Sequence, residues 1–187
     1  ESRSHFVRLV TFSDANGMRI GVHDAASGAI VDLAATTRLP KDMTGFIALG
    51  KNGLKRVRAA VKSGEGRLPF TSVRLHAPIP RPAKNILCVG KNYYDHAREF
   101  HNSGVDASAG KDAIPELPIM FTKWPNSVIG DGEPIPSWLD YTNSTDYEGE
   151  LAVVIGPGGR GIGKQDAYAH VYGYTIINDV TSRTQQQ

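Results

Sequence analysis

The stretch Asp146-Tyr147-Glu148-Gly149-Glu150, running into Leu151-Ala152-Val153-Val154-Ile155, constrains this chain more than any other. The apolar run reads as a buried strand. If that strand begins a few residues earlier, Glu148 and Glu150 leave it on the same face. Like charges on one face of a sheet repel and destabilise it. A hard divalent cation is the natural compensator, because Mg2+ and Ca2+ prefer carboxylate oxygens. The competing reading is a solvated strand end carrying two unrelated acids.

Composition narrows the setting. The 187 residues suffice for one domain, or for a small domain plus part of a larger one. With 40% hydrophobic and 21% charged residues, this is an ordinary soluble globular composition. Twenty Gly and eleven Pro favour turns and short strands over long helices. A net charge of +2 gives no basic field for nucleic acid and no polybasic arm for a membrane. No apolar run approaches the ~18 residues of a transmembrane helix. Cys88 stands alone, which excludes an internal disulfide framework and suits a reducing compartment. The expected location is the cytoplasm, or the mitochondrial matrix in a eukaryote. The chain opens at Glu1 with no Met and no apolar signal core, so the natural start is expected upstream.

Residues 6–35 read as a strand meander. Phe6–Phe12 and Met18–His23 flank Ser13-Asp14-Ala15-Asn16-Gly17, where Asn-Gly is a hairpin signal. Residues 42–49 and 53–63 read as short helices. In the second, Leu54, Val57, Ala60 and Val61 form one apolar stripe, while Lys51, Lys55, Arg56, Arg58 and Lys62 face water. Pro78, Pro80 and Pro82 make a stiff extended linker. The expected division is a small N-terminal domain at 1–78 and a second domain at 79–187. Asn85–Gly90 reads as a buried strand, with Cys88 as a small core residue.

Lys91–Phe100 is polar, aromatic and helical in pattern. His96 and Glu99 share a face there. A carboxylate beside an imidazole fixes its tautomer and raises its basicity, as a general base requires. An exposed helix with an incidental pair is the alternative. Residues 101–118 read as a lid-like loop. Ile119–Trp124 resumes a strand that carries Lys123. Residues 156–161 match Gly-x-Gly-x-x-Gly, with Asp179 about twenty residues on, as in a dinucleotide site. Pro157 lacks the N–H that a phosphate cradle needs, and no βαβ alternation precedes it. The stretch is therefore expected to be a turn. Tyr172–Ile177 is a further strand, delivering Asp179 as a third carboxylate and Arg183 as a group suited to a substrate carboxylate.

The order strand-Gly, Lys-Asn-Tyr, His-x-x-Glu, loop, Phe-x-Lys, Asp-Tyr-Glu-x-Glu-Leu, Asn-Asp-x-Thr-x-Arg closely resembles the fumarylacetoacetate hydrolase family over about residues 80–187. Residues 1–75 are similar to the small N-terminal domain that many members carry. The resemblance implies a strand-rich α+β fold: a mixed β-roll catalytic domain, C-terminally incomplete here, preceded by a small α+β domain. It implies Mg2+ or Mn2+, with Ca2+ as an alternative, held by Glu148, Glu150 and Asp179. His96 and Glu99 become a catalytic dyad on a lid, and Arg183, Lys91 and Lys123 become substrate-binding residues. The implied partners are a small anionic keto acid and a second copy in a homodimer. The implied chemistry is C–C hydrolysis of acylpyruvate-like or fumarylacetoacetate-like compounds, or decarboxylation or isomerisation of related diacids. The family's catalytic lysine belongs beyond the Asn-Asp-x-Thr-x-Arg motif, and Lys123 matches a different, upstream family lysine. A longer natural chain and a member without catalysis are the two readings this leaves.

Overall fold

The computed structural model describes residues 7–36, 38–102 and 114–186. In chain order its regular elements are strands β1 (Leu9–Asp14), β2 (Gly17–Asp24) and β3 (Ala29–Asp32), helices α1 (Leu33–Thr36), α2 (Met43–Ala48) and α3 (Gly50–Ser63), and strands β4 (Arg67–Pro69), β5 (Arg74–His76) and β6 (Ile86–Gly90). Helix α4 (Tyr94–Asn102) comes next, then β7 (Ile119–Lys123), β8 (Thr145–Asp146), β9 (Gly149–Ile155), β10 (Val171–Asn178) and β11 (Thr181–Ser182). Strands outnumber helices among the described residues, as the Gly and Pro content implies. The chain forms two compact units. One joins residues through Arg81 with Val128–Pro134 and Glu150–Ile177; the other joins Pro82–Ser127, Ile135–Gly149 and Asn178 onward.

The first unit contains an antiparallel sheet in the order β4-β3-β2-β1-β5. The first hairpin is tighter than the sequence suggests. Asp14 pairs with Gly17, leaving only Ala15-Asn16 as the turn. The Asp14 carboxylate accepts the Asn16 N–H at 2.7 Å, which closes the turn from inside. Gly17 sits at φ +89, where a side chain is strained. The phase of β1 and β2 buries Phe12, Ile20 and Val22. Helices α2 and α3 supply Met43, Phe46, Val57 and Ala60 to the core that holds Ile20 and Val22, which Tyr172 also meets. The predicted stripe of α3 is buried at Val57 and Ala60, and its lysines and arginines are exposed. Gly53 is buried as well: a Cβ there would stand 3.1 Å from Leu49 Cβ and from the Phe46 ring, so a larger residue would require those side chains to shift by a few tenths of an ångström.

A charged cluster ties this sheet together. The buried Arg19 donates through Nε to Asp32 at 2.7 Å and through both terminal nitrogens to Asp14 at 2.7 and 2.8 Å. Its guanidinium carbon lies 4.5 Å from the centroid of the Phe12 ring. Arg67 makes a second, more exposed pair with Asp24 at 2.7 Å. The Arg19 guanidinium holds the Asp14 carboxyl down from 3.8 to about 2, and Arg67 does the same for Asp24. Both values lie below those of the unfolded chain. Their contribution to stability is therefore complete above about pH 4 and is lost as pH falls toward 2. The melting temperature is expected to fall steeply across that window. Asp24→Asn, less stable at neutral pH, should show a shallower acid slope; parallel slopes for the two proteins would refute this assignment.

Residues 156–163 join β9 to β10, which are neighbours in one two-stranded ladder. They lead into a 3-10 helix at Lys164–His170 rather than an α-helix. The His170 ring nitrogen Nδ1 lies 2.5 Å from the Pro157 carbonyl oxygen, so the Gly-rich stretch is a connection pinned on itself. In the second unit β6 pairs antiparallel with β7, placing Cys88 opposite Phe121, and α4 is anchored by the buried Ala97. Among the described residues no sheet closes into a barrel, and no helix is long and apolar enough to cross a membrane.

Candidate active site

The site is built around a ladder of two residues. β8 pairs antiparallel with β11, Thr181 opposite Asp146 and Ser182 opposite Thr145. So short a ladder is not stable alone. Asp140 supports it. Its Oδ1 accepts from the Thr142 N–H at 3.0 Å, the Thr142 hydroxyl and the Ser182 hydroxyl at 3.1 Å. Its Oδ2 accepts from the Ser144 N–H and the Thr145 hydroxyl, both at 2.9 Å. The Thr142 hydroxyl, then that of Thr145, holds the Asp140 carboxyl well below the usual carboxylate range. Ser144 in turn accepts the Arg183 N–H through its carbonyl at 3.1 Å and the Thr184 N–H through its hydroxyl at 3.0 Å. Sequence reasoning missed Asp140. The available signal was the run Asp140-Tyr141-Thr142-Asn143-Ser144-Thr145, rich in residues that fold back on their own backbone.

Around this ladder two cations meet three carboxylates. Arg183 pairs through one terminal nitrogen with Glu148 Oε1, and through Nε and the other terminal nitrogen with Asp146 Oδ2 at 3.0 and 2.9 Å. Arg183 holds the Asp146 carboxyl below its ordinary range. Lys123, at the end of β7, places Nζ 2.6 Å from Asp179 Oδ1 and donates to the Val180 carbonyl at 3.0 Å. Asp179 is only 8% exposed, and a buried carboxylate requires such a partner. The pairs are joined through the backbone: the Asp179 N–H donates to the Glu148 carbonyl at 2.7 Å, and the Glu148 N–H donates to the Asn178 side-chain oxygen at 3.0 Å. Beside Asp146 opens a cleft of about 400 Å3, with Ile135, Tyr147 and Val180 as apolar lining and Asn143 and Thr145 as polar lining.

The other sequence candidates are distributed around this ladder and beyond it. β9 begins at Gly149, so Glu148 lies just before the regular strand and Glu150 lies on it, half-buried, in the first unit. The reason is local: both backbone groups of Glu148 are taken by Asn178 and Asp179. Lys91 succeeds β6 with φ 53, a left-handed conformation rare for a lysine, at the turn into α4. His96 and Glu99 lie on α4 as the pattern predicts, but their side chains lie outside the described residues, as does most of the lid-like loop at 101–118. Lys123 and Arg183, expected to meet substrate, have their charges committed to Asp179, Asp146 and Glu148.

Among the described residues, no three His, Cys, Asp or Glu side chains converge closely enough to hold a metal ion together. Glu148 and Asp179 nevertheless have the donor chemistry of a hard divalent ion. Both are carboxylates and both are largely withdrawn from water; a divalent ion would take the place of the cation that each now pairs with.

Comparison with known proteins identifies the family of the chain. Residues 85–187, more than half of the chain, match the family model for the fumarylacetoacetate (FAA) hydrolase C-terminal region. The chain is 54% identical over 118 residues to the oxaloacetate tautomerase YisK of Bacillus subtilis, a match that spans 63% of this chain and 36% of that protein. Among solved structures, a fumarylacetoacetate hydrolase from the psychrophile Exiguobacterium antarcticum superimposes with a TM-score of 0.68 at 35% identity, covering 97% of this chain and 58% of that one. The maleylpyruvate hydrolase of Sphingobium sp. SYK-6, solved with manganese(II) and pyruvate, gives a TM-score of 0.68 at 26% identity, covering 94% of this chain and 59% of that one. The chain thus spans less than two thirds of each of these proteins. By the extent of these matches and the motifs they cover, the chain belongs to the fumarylacetoacetate hydrolase family.

Proposed function

We propose that residues 79–187 form the catalytic segment of a divalent-metal-dependent enzyme of 2-oxo acids, with enol–keto interconversion of oxaloacetate as the favoured reaction. C–C hydrolysis of an acylpyruvate, decarboxylation, or isomerisation of a related diacid would use the same groups. One observation carries the reading: two carboxylates joined through the backbone, each facing a cation, in a chain this similar to an oxaloacetate tautomerase. Glu148 and Asp179, with Glu150 as the third carboxylate of the motif, would hold Mg2+ or Mn2+. When bound, such an ion supplies Lewis-acid polarisation of a 2-oxo oxygen. Arg183 would take the substrate carboxylate, for which its planar fork is suited. Glu99 would fix the tautomer of His96, and His96 would move the proton between the enol oxygen and the adjacent carbon. The homodimer that the resemblance implies stays part of this proposal.

The test is an assay of oxaloacetate tautomerisation beside acylpyruvate cleavage, oxaloacetate decarboxylation and hydroxymuconate-type isomerisation. Tautomerisation is expected to be fastest, to be lost in EDTA, and to return with Mg2+ or Mn2+. Turnover indifferent to chelation, or none with any of these compounds, would overturn the proposal.

A further inference from the structure

Asp146 has no role in the proposed chemistry, yet it makes the most extensive contact with Arg183. Its Oδ2 receives both Nε and a terminal nitrogen of the guanidinium, at 3.0 and 2.9 Å. Its Oδ1 accepts the Tyr147 N–H at 2.9 Å, which fixes the carboxylate plane. The opposite terminal nitrogen of Arg183 turns to Glu148 Oε1 and donates to the Gln186 side-chain oxygen at 3.3 Å. The backbone supports the same arrangement, because Asp146 pairs with Thr181 and Arg183 is tied to Ser144. The guanidinium is therefore held by two edges, one on Asp146 and one on Glu148.

We propose that Asp146 is a positioning residue for Arg183: it holds one edge of the guanidinium so that the other edge, released when Glu148 takes up a divalent cation, is aimed at the carboxylate of a 2-oxo acid. The inference rests on the proposed roles of Glu148 and Arg183. Charge balance favours metal before substrate. Asp146, Glu148 and Asp179, with the motif's third carboxylate Glu150, carry four negative charges against the two positive ones of Arg183 and Lys123, an excess that repels an anionic substrate. A bound divalent cation would neutralise that excess. It would also satisfy Glu148 and free the Arg183 edge. Without Asp146, the remaining side-chain partners of Arg183 among the described residues are Glu148 and Gln186, so the fork would turn onto them and the substrate would lose its oriented partner.

The test compares wild type with Asp146→Asn and Asp146→Glu, titrating first with Mn2+ and then titrating the loaded protein with pyruvate as a simple 2-oxo acid. Asp146→Asn is expected to weaken pyruvate binding about tenfold and to raise KM similarly, with kcat and Mn2+ affinity each changed less than about threefold. Asp146→Glu keeps the charge and should recover part of the loss, and it serves if the Asn variant does not fold. In an Arg183→Lys background, Asp146→Asn should add less than about twofold, because Asp146 acts only through Arg183. Unchanged pyruvate affinity in both Asp146 variants, or a full tenfold loss in the Arg183→Lys background, would overturn the inference. A wild type that neither binds Mn2+ nor turns over a keto acid would instead sink the proposed function itself.

Discussion

Replacing Glu148 with alanine is expected to lower turnover about a thousandfold or more while the protein stays folded. A Lewis-acid metal is worth several kcal/mol of transition-state stabilisation, and each ~1.4 kcal/mol is a factor of ten in rate. Removal of the carboxylate takes away a proposed ligand and weakens the hold on the ion. The fold tolerates the change because Arg183 keeps its two contacts to Asp146. The backbone groups of Glu148 that bind Asn178 and Asp179 are untouched by the substitution. The measurements are kcat with saturating Mg2+, a Mn2+ isotherm and a thermal melt. A Glu148→Ala protein that remains active without metal would refute the assignment.

The second large effect lies far from that site in sequence. Arg19→Ala is expected to destabilise the protein by about 3–5 kcal/mol, the usual cost of leaving the partners of a buried ion pair without their cation. Arg19 is 6% exposed and is bound to both Asp14 and Asp32. It also lies against Phe12, so truncation loses packing as well as charge. The melting temperature should fall by on the order of 10 °C or more. Arg19→Lys should recover only part of the loss, because an ammonium cannot span two carboxylates as a fork does. A melting temperature within about 2 °C of wild type for Arg19→Ala would count against a structural role for the cluster.

Neither cluster was legible as such in the chain. Arg19, Asp14 and Asp32 sit on three different strands, and only the register of β1, β2 and β3 makes them neighbours. Arg183 and Lys123 read from sequence as substrate-binding cations. The structure has them beside Asp146, Glu148 and Asp179, residues up to 56 positions away in the Lys123 pair. A cation's sequence neighbourhood does not encode its partner, since Coulomb attraction depends on distance in space and not along the chain. Asp140 is a similar case. Its turn residues are local, but its bond to Ser182 closes only when β8 meets β11.

The features that the sequence determined by itself are those whose physics is local. These are the presence of a hairpin near Asn16-Gly17, the buried stripe of α3 at Val57 and Ala60, the helix carrying His96 and Glu99, and the motif strings that mark the family. Turn chemistry and side-chain periodicity act over a few residues, so they can be read in order along the chain. The sequence grouped Glu148 with Asp179; only the tertiary structure decided that each has a cation against it, and that Asp146 holds one edge of the arginine. Those contacts come from strand pairing and long-range charge compensation, and these exist only once the chain has closed on itself.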